Sequence, residues 1–204
     1  MPSLFDGPVL AACMPPAPLE ANELAELVAP AQAGNREALR ELLRSLLPRI
    51  RNLVRYLVRS DDDVDDIVQE AMLTIVRRLE TYRADGPFEA WIDRLVARAT
   101  FAELRRRGER RRIEPATGLA YLASVGPTQD EYFLRRRVVA ALDRLPEPQR
   151  HAVVLHHMLE MNVREIGLEL GVPAETVRSR LRLARGRLRE WGFVADAIHE
   201  EPRR

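Results

Sequence analysis

Asn162-Val163-Arg164-Glu165-Ile166-Gly167-Leu168-Glu169-Leu170-Gly171-Val172-Pro173-Ala174-Glu175-Thr176-Val177-Arg178-Ser179-Arg180-Leu181 reads as two short helices joined by a tight turn. Asn162 suits a helix N-cap, and Glu165, three positions on, can reach back to its backbone N–H. Gly167 stands in mid-helix, where Gly costs about 1 kcal/mol against Ala, so a close-packed second helix is expected beside it. Gly171 falls where the first helix must end in a left-handed residue. Pro173 suits the first turn of the next helix. Two short helices around a tight Gly-containing turn make a helix-turn-helix.

The second helix has two faces. Val177, Leu181, Ala184, Leu188 and Trp191 recur at helical spacing as an apolar stripe. Arg178, Arg182, Arg185 and Arg189 follow one residue further round, and no acid interrupts the run from Arg178 to Arg189. A recognition helix presents its N-terminal residues to base edges and its flanks to phosphates. The candidates are Ala174, Glu175, Thr176, Arg178, Ser179 and Arg182. The competing reading is a solvated basic face on an ordinary helical domain.

Outward from this motif the chain stays helical. Periodicity holds from Asp130 to Trp191, with breaks at Pro146-Glu147-Pro148 and Gly171-Val172-Pro173. It holds again from Asn22 to Arg107. There Leu39, Leu42, Leu43, Leu46, Ile50, Leu53 and Leu57 form one stripe, which Pro48 is expected to kink or split. Val64, Ile67, Val68, Ala71, Met72, Ile75, Val76 and Leu79 form a second, ending near the breakers of residues 83–87. Phe88, Trp91, Ile92, Leu95, Ala99 and Ala102 form a third. No segment alternates long enough to suggest strands. The expected fold is therefore all-α: a leader over 1–21, a helical domain over 22–107, a linker over 108–129, a helix-turn-helix domain over 130–193 and a tail over 194–204.

Composition narrows the function classes. The 204 residues are 46% hydrophobic, enough for one or two small cores, and the net charge of +1 says nothing of partners by itself. All 32 cations are Arg, a rigid fork suited to phosphate and guanine edges, although genome composition explains the same bias. Cys13 is the one cysteine, so no disulfide framework or Cys-based zinc site can form, which fits a reducing cytoplasm. No apolar run approaches the roughly 20 residues that span a bilayer. His151, His156, His157 and Glu160 are the one cluster with metal-ligand character, but they lack HExxH order and a third ligand. There is no Gly-rich phosphate loop and no nucleophile motif, so no enzyme, metal or cofactor is expected.

The N-terminal half carries two patches of opposite sign. Asp61-Asp62-Asp63-Val64-Asp65-Asp66-Ile67-Val68-Gln69-Glu70 holds six acids and no base. Asp61 to Asp63 fit helix-start chemistry, since the dipole favours acids there. Asp65, Asp66, Gln69 and Glu70 extend past the start, beside Met72 and Leu73, and suit a partner-docking surface. Arg94, Arg98, Arg105, Arg106, Arg107, Arg110, Arg111 and Arg112 crowd the end of the third helix. Phe88, Trp91 and Phe101 are interleaved with them, and Tyr82 precedes the loop. Basic residues with aromatics describe a single-strand platform, in which stacking is worth about 1–3 kcal/mol per base. At this spacing Trp91 also fits the core, and that is the preferred reading for it.

Asp65-Asp66-Ile67-Val68-Gln69-Glu70, then Trp91 leading to Arg105-Arg106-Arg107, then Leu145-Pro146 with Arg150, then Leu170-Gly171-Val172-Pro173 with Thr176-Val177-Arg178-Ser179-Arg180-Leu181, form an ordered set. In that order and spacing the chain resembles the extracytoplasmic-function (ECF) class of bacterial RNA polymerase sigma factors, which keep only the second and fourth conserved regions. The resemblance covers Asn22 to Trp191. It implies that 22–107 is region 2 and 130–193 is region 4. It implies that Asp65, Asp66, Gln69, Glu70, Met72 and Leu73 meet the β′ clamp helices of core RNA polymerase. It implies that Tyr82, Arg83, Arg94, Arg98, Phe101, Arg105 and Arg106 bind and open the −10 element. Ala174, Glu175, Thr176, Arg178, Ser179, Arg182 and Arg185 would read the −35 element, with the outer face of that domain on the β flap. The partners implied are core polymerase, promoter DNA and an anti-sigma factor, all in the cytoplasm and without membrane insertion.

Arg98 stands where the class usually has Asn, and Ala102 where it has Asp. Glu175 replaces a common Gly, and can accept from a cytosine amino group or repel phosphate. Two other readings follow from the residues. One is a transcriptional regulator using the helix-turn-helix alone. The other is a sigma-like protein that binds polymerase but opens promoters poorly.

Overall fold

The computed structural model describes residues 21–59, 63–111 and 129–193, and every regular element among them is helical. The expected leader and tail, and most of the expected linker, lie outside these residues. The described helices fall into two bodies, 21–111 and 129–193.

The first body contains α1 (Ala21–Gln32), α2 (Arg36–Leu57), α3 (Val64–Arg78) with a 3₁₀ turn at Leu79–Thr81, and α4 (Phe88–Arg111). Gly34, at φ +88°, turns the chain between α1 and α2. Asn35 then caps α2, its side-chain oxygen accepting from the N–H groups of Glu37 at 2.9 Å and Ala38 at 3.2 Å. The core follows the expected stripes in Leu42, Leu46, Ile50, Leu53 and Leu57 of α2, Ile67, Ala71 and Ile75 of α3 and Ile92 of α4, and adds Val96 of α4, which lies outside them. Each such side chain contributes about 1.5–3 kcal/mol on burial. That total explains why α2 continues unbroken through Pro48, against the expectation of a possible split. Pro48 removes one hydrogen bond to the carbonyl of Arg44, while the core residues on both sides of it hold the helix together.

α4 also exceeds its expected end, running to Arg111 rather than Arg107. Glu103 and Arg107, one turn apart and joined at 2.9 Å, support the turn before Gly108.

The second body contains α5 (Gln129–Arg144), α6 (Glu147–His157), α7 (Val163–Leu170) and α8 (Ala174–Glu190). Val138, Ala141, Leu142 and Leu145 of the first segment, Ala152 to Leu155 of α6, and Ile166, Val177, Ala184 and Leu188 make its core. Pro146 precedes α6 and Pro148 sits in its first turn, where the missing N–H costs nothing.

Candidate functional site

The helix-turn-helix is built by local chemistry. Asn162 accepts from the N–H groups of Arg164 and Glu165, both at 3.0 Å, and the Glu165 carboxylate accepts from the Asn162 N–H at 2.8 Å. This closes the expected capping box. Gly171 ends α7 at φ +65°, and the Val172 N–H donates to the Gly167 carbonyl at 2.9 Å. Gly167 is small for a reason the sequence reading only partly anticipated. A Cβ there would lie 2.8 Å from the Val172 carbonyl oxygen in the turn itself, and farther, 3.6 Å, from the first residue of α8. The turn backbone, more than the second helix, demands glycine. Pro173 stands just before α8 rather than within its first turn.

α8 then divides as its sequence does. Val177, Ala184 and Leu188 are buried, and Leu181 and Trp191 are half-buried. The Arg144 guanidinium lies 4.3 Å from the Trp191 ring centre, a cation–π contact. Arg178, Arg182 and Arg185 face solvent, as does Glu175, whereas Ala174, Thr176 and Ser179 are half-buried. Arg178 donates to Glu175 at 2.7 Å, while Arg187 turns inward to Gln149 at 2.9 Å. The basic face is therefore less uniform than the bare sequence suggests. Behind it Arg150, 1% exposed, is tied to Asp143 at 2.7 Å. Nothing in the local sequence marks that arginine as core.

In the first body, Asp65, Asp66, Gln69 and Leu73 are exposed along α3, and Glu70 and Met72 are half-buried. Asp65, Gln69, Met72 and Leu73, with Val68 and Val76, line a groove of about 340 Å³ together with Leu43 and Arg51 of α2, whereas Asp66 and Glu70 lie outside it. Arg51 pairs with Asp65 at 2.5 Å, a half-exposed contact worth about 0–1 kcal/mol. Leu43, Arg51 and Val76 are absent from the expected docking set. Their place in the periodicity marks helix faces, but only the fold brings α2 beside α3. At the head of α3, Arg107 pairs with Asp63, with Asp66 at 3.3 Å and with Glu103 at 2.9 Å. Burial pulls the Arg107 pKa down, but the Glu103 hydrogen bond and the three surrounding carboxylates outweigh it and leave it raised.

The loop and α4 carry the expected −10 residues. Tyr82 and Trp91 are half-buried, Phe88 is buried, and their rings meet in one cluster at 5.0, 5.4 and 5.8 Å. Trp91 is thus partly core, with part of its ring still accessible. The Tyr82 hydroxyl donates to the Gly86 carbonyl at 2.7 Å and closes the loop, leaving Arg83 exposed. Arg94, Arg98, Arg105 and Arg106 are exposed on α4. Phe101 is the exception. At 4% exposure it belongs to the core, four residues beyond buried Ala97 on the same side of the helix, and offers no ring face to a base. The side chains of Arg110 to Arg112, and residues Asp61 and Asp62, lie outside the described ones.

The rings of His156 and His157 meet edge-on, with 4.8 Å between their centres. His151 is buried, and Nδ1 of His156 lies 3.0 Å from the Met161 carbonyl oxygen. Among the described residues, no helix is long and apolar enough to cross a membrane.

Known proteins share both bodies. The family description Sigma-70 region 2 matches residues 42–110, and Sigma-70, region 4 matches residues 135–188. The chain is 34% identical over 179 residues to the ECF RNA polymerase sigma factor SigM of Mycobacterium tuberculosis, covering 86% of this chain and 88% of that one. It is 32% identical over 133 residues to the ECF sigma factor SigE of Mycolicibacterium smegmatis, covering 63% of this chain and spanning about half, 51%, of that relative's length. The fold resembles the sigma factor RpoE of Bartonella quintana, solved with the anti-sigma factor NepR, at TM-score 0.54 and 21% identity over 71% of this chain and 90% of that one. It also resembles CnrH, solved with the cytosolic domain of CnrY, at TM-score 0.50 and 23% identity over 84% of this chain and 97% of that one.

Proposed function

The chain belongs to the ECF sigma factors, the subunits that direct RNA polymerase to particular promoters, and from that premise we propose how its residues divide the work. The observation that carries the reading is the pairing, on one chain, of an acidic-apolar face on α3 with an exposed arginine face on α8. Residues 22–107 serve as region 2 and residues 130–193 as region 4.

On α3, Asp65, Asp66, Gln69, Glu70, Met72 and Leu73 dock on the β′ clamp helices of core polymerase. The apolar groove supplies burial and the carboxylates supply register, since charge complementarity selects and steers partners. On the loop and α4, Tyr82, Arg83, Arg94, Arg98, Arg105 and Arg106 hold the −10 element. Unstacking bases costs a few kcal/mol, and stacking on Tyr82 and Trp91 together with arginine–phosphate contacts offsets it. On α8, Glu175, Arg178, Arg182 and Arg185 face the −35 element, with Ala174, Thr176 and Ser179 close beneath. The outer face of this body rests on the β flap. No covalent step is asked of the protein, so it works without enzymatic activity or cofactor, in the cytoplasm where polymerase is. An anti-sigma factor is a further expected partner, a reading supported by the similar sigma factor RpoE, solved with the anti-sigma factor NepR.

Neither DNA reader need bind tightly alone, because tethering raises the effective concentration of the second once the first is bound. Run-off transcription with purified core polymerase on genomic fragments tests the proposal. Discrete start sites that require this chain support it. Polymerase binding without discrete starts would assign it the weaker role of a sigma-like protein that opens DNA poorly.

A further inference from the structure

Glu175 and Arg178 form a pair on the exposed face of α8, with a 2.7 Å contact between carboxylate and guanidinium. Both side chains are largely exposed, 76% and 59%, so burial does not hold them together. The acid is placed selectively. Arg182 and Arg185, on the same face, make no ion pair among the described residues, and Arg187 is engaged by Gln149. Glu175 also sits in the first turn of α8, where the helix dipole favours a carboxylate. The arginine nearest the N-terminal end of α8 thus has a carboxylate partner that Arg182 and Arg185 lack among the described residues.

We propose that Glu175 is a positioning residue that holds Arg178 for base readout and withholds it from the phosphate backbone. The proposal rests on α8 being the recognition helix. An unpaired arginine reaches whichever anion is closest, and on duplex DNA that is a phosphate at every step. Phosphate contacts add affinity without sequence information. Pairing with Glu175 offsets the charge that draws Arg178 to phosphate at every step, while a guanine edge offers two acceptors fixed in the groove to the N–H donors that the carboxylate leaves unused. Glu175 thus lowers binding to arbitrary DNA and leaves binding at the matching base pair nearly intact. It does so through Arg178, without itself touching a base.

The test is a double-mutant cycle on the full chain, binding a pool of random-sequence 30-base-pair duplex at low salt. The four proteins are wild type, Glu175→Gln, Arg178→Ala and the double variant. If Glu175 withholds Arg178, Arg178→Ala costs little random-duplex affinity when Glu175 is present and about three- to tenfold when it is Gln. Glu175→Gln alone steepens the salt dependence by about one phosphate contact. Sequencing the bound fraction shows weaker base preference for Glu175→Gln than for wild type. Equal costs of Arg178→Ala in both backgrounds would mean that the two charges act independently, and would overturn the proposal. No cost in either background, or no binding by any of the four proteins, would instead sink the recognition-helix reading beneath it. The circular dichroism of each variant, expected unchanged, separates these outcomes from loss of the helix.

Discussion

Arg49 grips Asp93 through two parallel hydrogen bonds, Nε to Oδ1 at 2.8 Å and Nη2 to Oδ2 at 2.6 Å, and so fastens α2 to α4 across 44 residues of sequence. Asp93 is buried, and Glu89 adds a third, looser contact to Arg49 at 3.6 Å. Burial pushes the Asp93 carboxyl above the usual carboxylate range, and the Arg49 charge pulls it part of the way back.

Arg49→Gln removes that pull and leaves a buried carboxylate without its partner. The expected loss is about 3–5 kcal/mol at neutral pH. The sign of its pH dependence follows from the raised carboxyl. A carboxyl whose folded pKa lies above its unfolded value of about 3.9 contributes stability below that value and loses it as pH rises through the folded one. The variant therefore recovers part of its loss as pH falls from neutral towards the unfolded value and Asp93 takes up its proton. Amide hydrogen exchange of α2 and α4 at both ends of that range reads this directly. A penalty independent of pH would show that Asp93 is not the group left stranded.

Two substitutions separate the parts of the helix-turn-helix. Asn162→Ala deletes the cap and should cost about 1 kcal/mol. Gly167→Ala places a methyl 2.8 Å from the Val172 carbonyl oxygen, a backbone atom that cannot rotate away. It should cost more than the cap and also reorient α8. Exchange protection in α7 and duplex binding, measured together, should both fall for Gly167→Ala and change little in binding for Asn162→Ala. Equal behaviour of the two variants would contradict the role given to the turn.

Much of this was legible in the sequence because its signals are local. Asn162 and Glu165 act three residues apart and Gly171 ends the same eight-residue helix, and each is found where its spacing places it. The periodic apolar residues likewise name the cores of α2 and α3. Long-range pairings were not legible. Nothing near Arg49 points to Asp93, and nothing near Arg51 points to Asp65, because those contacts exist only once the helices pack. Pro48 does not split α2, since burial on both sides of it outweighs one missing hydrogen bond. Phe101 misled. Interleaving with arginines describes composition, whereas burial depends on which side of α4 a residue occupies.

Arg182 faces solvent on α8 with no acid paired to it among the described residues. Arg182→Ala should weaken binding to the matching promoter by about 1–3 kcal/mol if it contacts a base edge. Competition between matched and scrambled −35 duplexes is the measurement. A loss confined to the matched duplex assigns base readout, and equal losses on both assign a phosphate contact.

The central claim is that α3 is a polymerase-docking face, and binding of the full chain to sigma-free core RNA polymerase tests it most directly. The control is the double charge reversal Asp65→Arg with Asp66→Arg, at two positions that are exposed and make only peripheral ion pairs. The wild-type chain binds core polymerase one to one, and the double variant loses that binding while keeping its helical content and its duplex binding through α8. Undiminished polymerase binding by the folded double variant would contradict that claim.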